Sequence, residues 1–158
     1  MSDPFGLNRF VEAQGPVYAQ VLRELAAGSK ASHWMWYIFP QLRGLGWTRT
    51  ANHYGIASLA EARAYLAHPV LGPRLLECVA LVLGLTGRSA EQVFGYPDYL
   101  KFRSCLTLFG AAAPDVSLFT EALARYYGGE ADPLTLERLV CVTPRSGVTR
   151  GEADQAPR

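Results

Sequence analysis

Cysteine is scarce in this chain of 158 residues: Cys78, Cys105 and Cys141 stand far apart and form no CxxC pair. That excludes a zinc knuckle and a dithiol redox centre, and leaves three reduced thiols in or near a core. Histidine is as sparse, and His33, His53 and His68 show no metal-ligand spacing. No metal and no cofactor are expected. Long apolar runs are missing too. Residues 79–85 are interrupted by Gly84 and fall far short of the roughly 20 residues a membrane span needs. Residues 1–10 contain Asp3 and Arg9 and no apolar stretch, so no secretory signal is read there. A cytoplasmic protein with no membrane partner is expected. Net charge is close to absent. The formal value is +1, and Arg145, Arg150 and Arg158 against Glu152 and Asp154 place all of it in residues 143–158. A neutral body argues against nucleic acid as a partner, since phosphate-coating proteins are usually strongly basic.

What the chain does have is apolar mass, 49% of its residues. A chain of this length buries about 68–70% of its unfolded surface, so one core suffices. Helix signals follow one another. A short helix over about 7–13 brings Phe10 and Val11 inward. Pro16 opens a second, stopped by Gly28, with Val17, Val21, Leu22 and Leu25 on one face. Residues 32–39 read as a two-turn helix with Ser32 as its cap, ended by Pro40; residues 41–50 read as a loop. Ser58 with Glu61 and Ser89 with Gln92 have capping-box spacing. Pro69 opens a helix carrying Leu71, Leu75, Leu76, Val79 and Leu83. Pro97-Asp98 opens another to about Phe109, and Asp115 or Ser117 one that ends at Tyr127 before Gly128-Gly129. Asp132-Pro133 starts the last. No hairpin signal intervenes. The expected class is all-α: a single compact orthogonal multi-helix domain of about seven or eight short helices over 1–142, with a disordered C-terminal tail over 143–158.

Candidate chemistry concentrates where acids are lacking. Residues 25–60 contain neither Asp nor Glu, yet hold Lys30, Arg43, Arg49, His33, His53 and all three tryptophans, Trp34, Trp36 and Trp47. Positive charge beside aromatic planes suits an anionic, ring-bearing ligand such as a nucleotide: rings stack, and guanidinium forks bind phosphate oxygens. Within this window, Gly44 and Gly46 would let backbone approach a ligand, and Arg43, Arg49 and the free N–H groups of a helix starting near Thr48 or Thr50 would complete an anion cradle. The competing reading is a tight turn with solvated arginines. In the run from His33 to Gln41, Met35, Ile38 and Phe39 suit one helix side and His33, Trp36 and Tyr37 another. The competing reading is core throughout. A third locus, Tyr96-Pro97-Asp98 followed by Lys101, Arg103 and Ser104, puts both signs of charge at one helix start. Asp98 there is either a helix-start acid or a group that takes a proton or holds a ribose hydroxyl. Glu77 sits in an apolar helix; turned inward, its pKa would rise and it would become a candidate acid or base, and turned outward it is a solvated face.

The stretch KASHWMWYIFPQLRGLGW, residues 30–47, resembles the signature of a bacterial family known as domain of unknown function 1810, some of whose members carry a calpastatin label. The resemblance continues through Tyr54-Gly55-Ile56, residues 61–69 and 71–75, Phe94-Gly95, Asp98, Leu100-Lys101, Ser104, Thr107-Leu108-Phe109 and residues 126–129. It implies a compact all-helical fold and no established activity. The family pattern has a second acid before Leu-Lys, where Tyr99 stands here, and Ser-Ser-Met where Ser104-Cys105-Leu106 stand. An activity needing that second acid would be lost in this chain.

Two functions are therefore expected in competition. The first is a pocket for an anionic, nucleotide-like small molecule, formed by residues 30–47 and the Asp98 helix start. Lys30, His33, Trp34, Trp36, Tyr37, Gln41, Arg43, Gly44, Gly46, Arg49, Lys101 and Ser104 are its candidate ligand residues. Hydrolysis of a glycosidic or ADP-ribosyl bond, with Asp98 or Glu77 as the carboxylate near an oxocarbenium-like centre, is the chemistry such a pocket would carry. The second is a non-catalytic protein-interaction or oligomerisation module using exposed tryptophans.

Overall fold

A computed structural model describes residues 3–142, the side chains of residues 141 and 142 excepted; the tail expected over 143–158 lies outside them. The described residues form ten helices, more than the seven or eight expected. Three of the ten are one-turn pieces. These are α3 (Met35–Ile38), α4 (Arg49–His53) and α7 (Ala90–Phe94). The longer elements are α1 (Asn8–Gln14), α2 (Tyr18–Ala27), α5 (Leu59–Ala67), α6 (Leu71–Leu83), α8 (Asp98–Ala112), α9 (Ser117–Tyr127) and α10 (Pro133–Val142). Among the described residues the single β feature is an isolated parallel bridge between Leu42 and Ile56. Among the described residues no single helix is long and apolar enough to cross a membrane.

The caps are those the residue types favour. Ser58 Oγ accepts from Glu61 N at 3.2 Å, and Ser89 with Gln92 forms a complete capping box. Gly28 and Gly128 end α2 and α9 in left-handed conformations. Asp132 Oδ2 accepts from Thr135 N at 3.0 Å and so caps α10. On α6, Leu71, Leu75, Cys78, Val79 and Val82 are buried, the stripe that period-3.6 patterning produces. Between α5 and α6 the chain turns through 90°. Here His68 Nδ1 accepts from Val70 N at 3.0 Å and Leu71 N at 3.3 Å, satisfying the first donors of α6. Gly72 permits the turn, because a Cβ there would lie 2.1 Å from Leu66 O.

The central element is α8. It packs against α5, α7, α9 and α10, so its middle, from Ser104 through Phe109, is buried all round. Phe102 anchors an aromatic cluster, with ring centroids 4.9 Å from Phe39 and 4.7 Å from Phe94. That cluster ties α8 to the end of α3 and to α7. Burying a ring of this size contributes about 1.5–3 kcal/mol, and it fixes where the first turn of α8 emerges at the surface.

Candidate functional site

Glu24, near the end of α2, organises the first wall. It is 5% exposed, and its carboxylate accepts from Ala31 N (2.8 Å), Ser32 N (3.0 Å), Ser32 Oγ (2.6 Å), Trp34 Nε1 (2.9 Å) and Gln20 Nε2 (2.7 Å). Burial alone would raise its pKa, but the bonds from Ser32, Ala31, Gln20 and Trp34 prevail and hold it down at about 2. This ring of donors shapes residues 31–33, and the first helical bond runs from Ile38 N to Trp34 O. The expected two-turn helix over 32–39 is accordingly a single turn, α3, and Ser32 binds Glu24 rather than capping it.

Lys30 joins this wall to the second. Its main-chain N–H donates to Val93 O at 2.8 Å. Its ammonium donates to Ser32 O at 2.5 Å and pairs with Asp98 Oδ2 at 2.8 Å. It also lies 5.0 Å from the centroid of the Trp34 ring. Asp98 is the first residue of α8, and its other oxygen, Oδ1, meets Lys101 Nζ at 3.4 Å. Lys101 Nζ in turn sits 4.8 Å from the centroid of the Trp36 ring. One carboxylate thus holds two ammonium groups, and each ammonium lies over a tryptophan.

Between these walls is an open cavity of about 420 Å³, lined among others by Lys30, His33, Trp36, Tyr96, Asp98 and Lys101. Its volume falls within the roughly 300–1,000 Å³ usual for small-molecule sites. With His33 neutral, its charged groups sum to one net positive charge. The helix terminus itself contributes few free donors: Tyr99 N is bonded to Gly95 O and Leu100 N to Pro97 O. An anion here would be held by side chains, chiefly the lysines. A second cavity of about 280 Å³ adjoins the first, sharing Pro97 and Lys101 with it. Gln41, Gly46, Arg103 and Ser104 line this one.

The family model described as "Protein of unknown function (DUF1810)" matches residues 4–139. The chain belongs to this family. It is similar to the crystal structure of the conserved hypothetical protein Rv1873 from Mycobacterium tuberculosis, at 55% sequence identity and a TM-score of 0.86, over 87% of this chain and 99% of that one. No curated protein matches the chain. Neither description states an activity.

Within the family fold, the candidate residues part company. Lys30, His33, Trp36, Asp98 and Lys101 share the first cavity; Gln41, Gly46, Lys101 and Ser104 share the second. The others line neither. Trp34 is 1% exposed and belongs to the core. Tyr37 packs against Tyr54 with centroids 5.3 Å apart. Arg43 Nη2 donates to Gly55 O at 3.1 Å. Gly44, at φ +100°, gives room to the Arg138 guanidinium rather than to a ligand, and a Cβ on Gly46 would lie 2.7 Å from Ala51 Cβ. Arg49 is exposed at the start of α4, whose cap is Thr48. Glu77 faces outward and accepts from Tyr18 Oη at 2.7 Å. The burial that would have made it an acid or base does not occur.

Residue-type reasoning missed Glu24 and Asp132 as site residues, and it placed Tyr96 and Arg103 in the third locus without counting them among the ligand residues. Glu24 had a signal, since it is the last acid before the acid-free window. Asp132 was legible only as a cap. The structure adds that it also accepts from Ser104 Oγ at 3.1 Å and pairs with Arg103 at 3.3 Å.

Proposed function

We propose that this chain binds an anionic, ring-bearing small molecule of the nucleotide kind in the cavity between residues 30–36 and the start of α8. The observation that carries this is convergence. Residues from two segments far apart in the chain, Lys30, His33 and Trp36 from one and Asp98 and Lys101 from the other, line one open cavity. In this reading Lys101 and Lys30 neutralise phosphate, and Trp36 and Tyr96 offer ring faces to a base. Hydrolysis of a glycosidic or ADP-ribosyl bond extends the proposal. Asp98 is the acid lining this cavity and would face the oxocarbenium-like carbon as its bond to the leaving group breaks and water adds, the water's proton passing to the departing group. Asp132, next door, is already engaged by Arg103, Ser104 and Thr135.

The test is a thermal-shift and calorimetric titration with nucleotides and ADP-ribose up to millimolar concentration. A saturable shift is expected, abolished in Trp36→Ala while the free variant melts within about 4 °C of the wild type. The absence of any shift at millimolar ligand ends this reading.

The interaction-module reading has one observation of its own: Trp47 is 94% exposed. Exposed aromatic anchors of this size dominate many interfaces. Sedimentation of the wild type against Trp47→Ser checks it, and an unchanged monomer in both removes self-association.

A further inference from the structure

We propose that the ligand has two parts, and that the second cavity takes the distal, sugar-like group of a nucleoside-diphosphate conjugate whose base occupies the first. This rests on the binding reading above and goes beyond it by naming the class of molecule. Pro97 and Lys101 line both cavities, so the two meet at the start of α8. Lys101 is the cation best placed for a linking diphosphate. Its contact with Asp98 is 3.4 Å long and its side chain 25% exposed, whereas Lys30 is held at 2.8 Å and 7% exposed. Lys101 can therefore turn to an incoming anion, while Lys30 keeps Asp98 in place.

The second cavity then presents the complement of a sugar. Leu45, Leu100 and Leu134 supply apolar surface, and Arg103 supplies charge. Arg103 Nε is the one buried side-chain nitrogen or oxygen without a hydrogen-bond partner among the described residues. A buried donor left unpaired is costly, and a small turn of the Arg103 side chain towards an acceptor oxygen of the bound group would relieve that cost. Gln41 adds a side-chain amide to this lining, while Ser104 Oγ is taken internally by Leu100 O and Asp132. The volume, about 280 Å³ against about 420 Å³, places the smaller half of the molecule here and the base on the Trp36 side.

Calorimetry with matched probes tests this: adenosine monophosphate against ADP-ribose, and uridine monophosphate against UDP-glucose. In at least one pair the diphosphate sugar should bind tenfold or more tighter than its monophosphate. Leu134→Trp fills the second cavity from a position that is 61% exposed, so it should fold as the parent does and cancel the gain. Arg103→Met should cancel it as well, with melting checked, because Arg103 also pairs with Asp132. Equal affinities within both pairs, or a gain that survives Leu134→Trp, overturn the two-part ligand while leaving the monophosphate site standing. If no probe binds at all, both this inference and the binding reading fall.

Discussion

Residues 30–36 and residues 43–50 are similar in text and opposite in use. Both lie in the acid-free window and combine cations with tryptophan. In the first, Lys30, His33 and Trp36 reach an open cavity. In the second, Leu45 and Gly46 border the second cavity, but Arg43 and Gly44, which resembled an anion cradle, serve the protein itself. Arg43 N bonds to Ile56 O at 2.7 Å, closing a corner with the Leu42–Ile56 bridge. Gly44 makes room for Arg138, whose Nε donates to Arg43 O at 2.8 Å. Residue types alone did not separate the two. What separates them is where the side chains end: those of Lys30, His33 and Trp36 border a cavity, whereas Arg43 is turned back onto Gly55 O and Arg49 stands exposed at the start of α4.

The contrast can be sharpened first within residues 30–36. Trp34→Ala should cost about 3–5 kcal/mol, since it empties a buried ring site and removes a donor from Glu24. A fall in melting temperature of roughly 10 °C or more is expected by calorimetry. Trp36→Ala, half-buried beside the cavity, should cost about 1 kcal/mol or less. Equal losses for both would mean that Trp36 is core and the wall is not a ligand surface.

Glu24→Gln comes next, with an expected loss of about 2 kcal/mol, because a charged acceptor of several bonds is replaced by a neutral one. The wild type should show the matching acid dependence. The folded carboxyl sits at about 2 against an ordinary 4.5, so its contribution is full above pH 4.5 and is lost as pH falls through 4.5 towards 2. Urea unfolding at pH 6 and pH 3 should show the difference between wild type and variant shrinking at the lower pH. A difference that stayed constant would show that the Glu24 charge does not hold the wall.

Effects below those of Trp34→Ala and Glu24→Gln are expected in the loop. Gly44→Ala forces a side chain into φ +100° against the Arg138 guanidinium and should cost about 1–2 kcal/mol. Arg49→Ala, on an exposed residue, should change stability by less than about 0.5 kcal/mol. Neither should alter nucleotide binding in the calorimeter. Loss of binding with stability kept, in either variant, would make the loop a site after all and erase the contrast.

Much of the fold is legible in the residue order because its signals are local. Ser89 with Gln92, Asp132-Pro133, Gly28 and Pro97-Asp98 each mark a helix boundary that depends only on neighbouring backbone groups. The stripe on α6 is legible for the same reason. The short helices α3 and α4 are not. α3 exists in its observed length because Glu24, on another element, binds Ala31 and Ser32 before a helix can start. At the candidate site, residues 30–36 and 98–101 could be singled out by residue type, but so could Arg43, Arg49 and Glu77, which line neither cavity. Facing direction and internal partnership are long-range facts.

The chain's order of apolar stripes, caps and stops determined by itself that this would be an all-helical protein, since those signals act within one turn. Only packing decided which charges stayed available. The aromatic cluster around Phe102 sets where the start of α8 meets Lys30, and the corner at Leu42 and Ile56 keeps Arg43 turned onto Gly55. A side chain's chemistry is written in its residue type, but its freedom to meet a ligand depends on every other group that reaches it first.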